Sequence, residues 1–252
     1  KRGLTNPTFR KRKKGSKDRE IVDQAKQDQL QDIVQNQITW QEKFEMVKGA
    51  VKALATEKIN SVIIYGSPGS GKTEEVTKTF KDLGVEYKSF SGGFKNADEV
   101  MHVIQKYRDG YILLFDDCDS VLKDALLKNL FKKILENTPE RRIAYRDKEI
   151  LFTSGCVFLS NLQTFDPALI SRSLTIKIDL TNEQMLGKIK DTLENFHKEI
   201  DIKIKLKAWH FLQKWSSGVK SIDYRELEKV LIAMELQPQN WEKFSMLMLA
   251  SQ

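Results

Sequence analysis

Cysteine, histidine and long apolar runs are scarce in this sequence, and each scarcity removes a class of protein. The 252 residues include 2 cysteines, Cys118 and Cys156. One lies in an acidic block and the other on an expected buried strand, so no disulfide framework is expected. A reducing, intracellular and cytoplasmic setting is expected instead. The 3 histidines, His102, His197 and His210, are scattered. They form no metal-ligand spacing, and no Ser/His/Asp or Cys/His nucleophile arrangement is visible. No apolar stretch approaches the length of a membrane span, so no membrane partner is expected. No signal peptide is expected ahead of the fold, although the chain opens on Lys1 rather than Met. Internal repeats and heptad runs are absent as well.

What remains suits a globular protein with a real core, at 40% hydrophobic and 31% charged residues. The length fits one large domain or a large and a small one. The net charge of +7 is unevenly placed. Residues 1–19 hold nine Lys or Arg against one acid, Asp18, which leaves 33 basic and 34 acidic residues in the rest. The basicity therefore belongs to a tail without periodicity, expected to be disordered. Its block Arg10 to Lys14 reads equally as a nucleic-acid or acidic-protein contact, a localisation signal, or a solvated segment.

A polar linker or helix is expected over 20–39, then an amphipathic helix from Trp40 to Ala55. From there strands and helices alternate. Expected strands are Ser61–Tyr65, Val85–Phe90, Tyr111–Phe115, Cys156–Leu159 and Leu174–Leu180. Expected helices are Glu74–Leu83, Ala97–Tyr107 and Val121–Glu136, and Arg146-Asp147-Lys148 turns a small hairpin. Apolar runs without alternation mark strands buried on both faces of a parallel sheet. Such a chain predicts a three-layer α/β core over 40–180 with ligands at the strand carboxyl ends. Beyond Thr181 only helices are expected, near Asn182–Phe196, Leu206–Trp215, Ile222–Leu236 and Trp241–Leu249, forming a small all-α lid over 181–252. Trp209, Phe211, Leu212 and Trp215 read as its core.

The most informative stretch is Ile63-Ile64-Tyr65 followed by Gly66-Ser67-Pro68-Gly69-Ser70-Gly71-Lys72-Thr73. An apolar strand ending in Gly-x-x-x-x-Gly-Lys-Thr before a helix is a phosphate-binding loop. Its glycines let backbone N–H groups turn inward around phosphate oxygens, and the helix behind aims its positive dipole end at the same anion. Lys72 then reaches the β- and γ-phosphates of ATP, while the Thr73 hydroxyl ligates Mg2+. Asp116, at the end of a later apolar strand, is the second expected magnesium ligand.

With these motifs the chain resembles the AAA+ ATPases, a branch of the P-loop nucleotide triphosphatases, over roughly residues 59–234. Asp116-Asp117-Cys118-Asp119-Ser120 is similar to that family's Asp-Glu-x-Asp-Ser block, with Asp117 where the catalytic Glu stands. Asn161 matches the polar sensor that positions the attacking water. Phe165-Asp166-Pro167-Ala168-Leu169-Ile170-Ser171-Arg172-Ser173 resembles the Asp-Pro-Ala-Leu stretch and the box that supplies an arginine finger in clamp loaders. The segment Ile222 to Leu227 resembles the lid helix whose arginine, here Arg225, is the second sensor. The resemblance implies a Mg2+-dependent ATPase with Asp117, Asn161, Arg172, Arg225 and Lys72 as its catalytic set. Because Arg172 would act on a neighbour's site, it also implies a ring or spiral homo-oligomer, hexamer-like in the family's manner. Arg141 and Arg142 are rivals for the intersubunit contact.

The substrate has three readings. A compact, mobile-element or phage-like motor or loader on DNA, of replication or recombination type, fits the tail, the arginine box and the hairpin. A protein remodeller fits Gly92-Gly93-Phe94-Lys95, which occupies a pore-loop position, although Phe94 reads equally as a core residue. An assembly factor that docks a protein partner through its tail is the third.

Overall fold

Thr39 starts the first helix through a reciprocal capping box. Its hydroxyl accepts from the Glu42 N–H at 3.2 Å while the Glu42 carboxylate accepts from the Thr39 N–H at 2.8 Å. The computed structural model describes residues 33–250 together with Lys26, Gln29 and Leu30. The basic segment 1–19 and most of the 20–39 linker lie outside the described residues. The chain divides after Ile38, and the part before that point contains one π-helical turn, Ile33–Gln37.

From Thr39 onward the elements alternate as the sequence leads one to expect. They are α1 (Trp40–Ala55), β1 (Ser61–Gly66), α2 (Lys72–Asp82), β2 (Lys88–Ser91), α3 (Ala97–Lys106), β3 (Ile112–Asp116), and α4 (Ala125–Ile134). A hairpin β4 (Arg141–Tyr145) and β5 (Lys148–Phe152) follows, then β6 (Gly155–Ser160), α5 (Pro167–Ile170) and β7 (Leu174–Ile178). Five strands form one parallel sheet in the order β2-β3-β6-β1-β7. In register, Ile63 lies beside Phe158 and Thr175, and Asp116 lies beside Leu159. The carboxyl ends of β1, β3 and β6 therefore open onto one edge.

Both faces of this sheet are covered, which explains the unbroken apolar runs. Val62, Ile64, Leu114, Val157 and Leu159 face Phe44, Val47, Val51 and Leu54 of α1 with Val76 and Phe80 of α2. Ile63, Leu113, Phe115, Cys156 and Phe158 face the other layer, built from α3, α4 and the hairpin. At about 1.5–3 kcal/mol for each large apolar side chain buried, these two layers hold the sheet that carries the loop. After β7 come α6 (Asn182–Thr192), α7 (Ile202–Trp215), α8 (Tyr224–Leu236) and α9 (Trp241–Leu249), around a separate cluster that includes Leu186, Trp209, Leu212, Leu227 and Trp241. Among the described residues, no helix is long and apolar enough to cross a membrane.

Several details depart from expectation. The helix expected over Val121–Glu136 is a 3-10 turn, Asp119–Leu122, and then α4, because Asp124 stops one and caps the other by accepting from the Leu127 N–H at 2.9 Å. Helix α7 starts four residues before Leu206, where Asp201 caps it through the Lys203 N–H at 2.7 Å. Trp215 does not join the helical core and is 38% exposed. Arg141 is buried at 1% exposure, which removes it as an intersubunit contact; Arg142 is exposed and paired with Glu149 at 2.8 Å.

Candidate functional site

The loop between β1 and α2 is held from several directions. Helices α1 and α3 to α8 each begin on a side chain that accepts a backbone N–H, whereas α2, which begins on Gly71 at φ +87°, and α9 have no side-chain cap. The first-turn N–H groups of α2 keep the donor capacity that an anion takes up at a helix N-terminus. Gly69, at φ +68°, and Gly71 also face side chains from the helical region. A Cβ on Gly69 would lie 2.1 Å from Asp223 Oδ2, and one on Gly71 would lie 2.6 Å from Lys188 Nζ. Both positions therefore require glycine on conformational and steric grounds.

Lys72 is buried, and its Nζ donates to the carbonyls of Gly66 at 3.0 Å and Ser67 at 2.8 Å, and to Asn161 Oδ1 at 3.1 Å. Burial pulls its pKa down to about 8, against the raising effect of Asp117, Asp116 and Asp119. Thr73 Oγ1 donates to Asp116 Oδ1 at 3.3 Å. Burial, followed by repulsion from Asp117, pushes the Asp116 carboxyl up, while the Thr73 hydrogen bond pulls it down. A half-buried carboxylate under this pressure, with a hydroxyl oxygen beside it, is the hard-oxygen donor set that suits Mg2+.

Asn161 stands at the tip of β6, between the loop and the acidic block. Its N–H donates to Asp119 Oδ2 at 3.1 Å and its side-chain amide donates to the Asp117 carboxylate. Asp117 itself has φ +53°, a left-handed backbone that Asp tolerates and longer side chains adopt at a cost. Arg225 follows the α8 cap Asp223, whose Oδ1 accepts from the Arg225 N–H at 2.7 Å.

A cavity of about 290 Å³ is lined by Gly69, Gly71, Lys72, Thr73, Asp116, Asp117, Asn161, Phe196, Tyr224 and Arg225, among others. The structure thus gathers the loop residues with Asp116, Asp117, Asn161 and Arg225. It does not bring Arg172 to them. That residue is exposed in the turn between α5 and β7, beside a separate cavity with Leu126, Lys132, Lys133 and Ala144. Its side chain has no hydrogen-bond or ion-pair partner among the described residues.

Sequence reasoning missed the contribution of α6. Lys188 Nζ donates to the Ser70 carbonyl at 2.6 Å and lies 3.4 Å from the centre of the Phe44 ring. A lysine more than 100 positions after the loop carries no motif, so only the fold reveals it. Phe94 takes its core role, packing at 6.0–6.2 Å ring separations against Phe90, Phe115 and Phe131.

No protein-family model and no curated protein sequence matches the chain. Solved structures do match. RuvB of Thermotoga maritima, described as a Holliday junction branch migration motor, aligns with a TM-score of 0.56 at 16% identity, covering 84% of this chain and 70% of that one. Two point mutants of the same protein give TM-scores of 0.55 and 0.53 at 15% and 14% identity. At such identity the likeness is one of fold. With its parallel five-stranded sheet, the loop at the carboxyl end of β1 and the helical region behind it, the chain shares the α/β fold of these RuvB structures.

Proposed function

We infer that the chain hydrolyses ATP and works as an oligomeric motor or loader on DNA or on a DNA-bound assembly. The observation that carries the ATPase reading is the convergence of Lys72, Thr73, Asp116, Asp117, Asn161 and Arg225 on one cavity. Backbone N–H groups of Gly69 to Thr73 cradle the phosphates, and Lys72 exchanges its loop carbonyls for β- and γ-phosphate oxygens. Thr73 and Asp116 would hold Mg2+, which when bound offsets charge on those oxygens. Asn161 and Asp117 orient the attacking water, and Asp117 accepts its proton as the bond from the γ-phosphorus to ADP breaks. Arg225 meets the phosphates from the helical region, and Arg172 meets those of a neighbouring subunit.

Support for DNA comes from the basic segment 1–19 and from the fold shared with a branch migration motor. The protein-gripping alternative is less favoured, because Phe94 is partly buried against the aromatic core. The test is ATP turnover with and without single- and double-stranded DNA at low salt, alongside particle size with a slowly hydrolysed ATP analogue. Stimulated turnover by a multi-subunit particle is expected. An unstimulated single-chain ATPase overturns the motor reading.

A further inference from the structure

Helix α7 carries four lysines and no acid, in a chain whose residues after the tail are nearly balanced in charge. Lys205 is buried and donates to the Phe196 carbonyl at 2.9 Å. The other three are exposed. Lys203, Lys207 and Lys214, with His210 between them, recur at offsets of four, seven and eleven, which places them on one stripe of the helix. The stripe runs about 16 Å at 1.5 Å per residue. It lies opposite the buried face of Ala208, Trp209, Phe211 and Leu212.

A solvated helix face is normally polar, so exposure alone means nothing. The lack of counter-charge is what distinguishes this one. Helix α4 also has three lysines and no acid, yet Lys128 and Lys132 pair with Asp166 at 3.5 Å and Lys133 pairs with Glu136 at 3.1 Å. Among the described residues, Lys203, Lys207 and Lys214 have no carboxylate within 4.0 Å. The nearest acid in sequence, Asp201, uses Oδ1 to cap the helix. Aromatic rings steady the cations instead. Lys207 lies 4.9 Å from the Trp241 ring centre and Lys214 lies 5.5 Å from that of the exposed Trp215. On the flank, Lys190 of α6 lies 5.0 Å from that of Trp209.

We propose that this face of α7 binds the phosphate backbone of nucleic acid, as a contact separate from the tail and from the ATP cavity. The inference rests on the DNA reading above and gives it a surface. Lysine ammonium groups are compact point charges without the planar fork that reads a base edge, so the contact is independent of sequence. Each phosphate neutralised adds about 0.9 to the slope of log affinity against log salt on duplex DNA.

The test uses the full chain and a short labelled duplex of mixed sequence, titrated between about 50 and 200 mM salt. The combined Lys203→Gln, Lys207→Gln and Lys214→Gln variant is expected to bind at least about tenfold more weakly at the low-salt end, with a slope smaller by about 2 to 3. The matching Lys→Arg variant keeps wild-type binding, and turnover without DNA is unchanged in both. A parallel variant with Arg10, Lys11, Arg12, Lys13 and Lys14 changed to Gln retains the contribution of α7. If the α7 variant binds duplex with wild-type affinity and slope, the proposal is overturned while the DNA reading survives through the tail. If the wild-type chain binds no DNA, the DNA reading fails too. If the α7 substitutions weaken binding of polyglutamate but not of DNA, the face serves an acidic protein and the proposal is again overturned.

Discussion

Lys188 on α6 reaches across to the phosphate loop and donates to the Ser70 carbonyl at 2.6 Å, with its ammonium over the Phe44 ring. The helical region, the loop and α1 thus meet at a single buried cation. The loop between β1 and α2 is therefore coupled to the helices behind it before Arg225 is considered.

This contact makes stability depend on pH in a defined direction. Burial pushes the Lys188 pKa down to about 8 from an ordinary 10.5, despite the raising effect of Glu75 and Glu74. Between those values the unfolded chain binds more protons than the folded one, so stability rises with pH from about 8 to about 10.5 and is flat below 8 for this group. Lys72 contributes in the same sense. Lys188→Met keeps the stem against Phe44 and is expected to remove up to about 1.4 kcal/mol per pH unit of that rise. Urea unfolding of both proteins at about pH 7 and about pH 10 measures it; equal gains would show that Lys188 is not buried as a cation.

Asp117 is bound to its identity by backbone as well as chemistry. At φ +53° a Glu in its place costs roughly 1 kcal/mol more than Asp, since only Gly, Asn and Asp visit this region readily. Asp117→Glu is therefore expected to lower stability by about that amount and to leave turnover no faster. Asp117→Asn keeps the backbone and is expected to cut turnover at least about 100-fold, with ATP affinity within a few-fold. Stopped turnover with intact binding of a fluorescent ATP analogue is the expected pattern. Unchanged turnover in Asp117→Asn rejects its role.

The loop, Asp116 and Asn161 were legible because each lies at the carboxyl end of an apolar strand, and sheet order alone brings those ends together. Lys188 and Asp223 were not, since their partners are set by how α6 and α8 pack on the loop. Helix α7 hid its first turn in Ile202-Lys203-Ile204-Lys205, whose alternation imitates a strand until Asp201 caps it. Arg141, a candidate for the intersubunit contact, is buried instead. The available signal was alternation, because in β4 Arg141 shares its face with the buried Ile143.

That burial predicts a large energetic contrast between adjacent arginines. Arg141 Nη1 donates to the Ile134 carbonyl at the end of α4 at 2.8 Å, Nη2 donates to the Ser154 carbonyl at 2.5 Å, and the guanidinium lies 4.6 Å from the Phe152 ring centre. Arg141→Ala leaves two buried acceptors without donors and opens a cavity, and is expected to cost about 3 kcal/mol or more. Arg142→Ala, which removes an exposed pair, is expected to cost less than about 1 kcal/mol. Chemical denaturation distinguishes them, and similar losses would contradict the assigned burial.

Arg172 offers the sharpest test of a shared site. It is exposed, has no side-chain partner among the described residues, and stands away from the cavity of its own chain. If it completes a neighbour's site, Arg172→Ala is expected to lower turnover by about 10³-fold or more, the scale of an arginine finger, without weakening ATP binding. Asp117→Asn subunits are then expected to fail for a different reason, because they keep Arg172 and lose the Asp117 carboxylate. Mixing the two inactive variants creates interfaces where an intact Asp117 faces an intact Arg172. Turnover should reappear in the mixture in proportion to such interfaces and vanish on dilution below the assembly concentration. A mixture as inactive as either parent, at a particle size equal to wild type, places Arg172 outside catalysis.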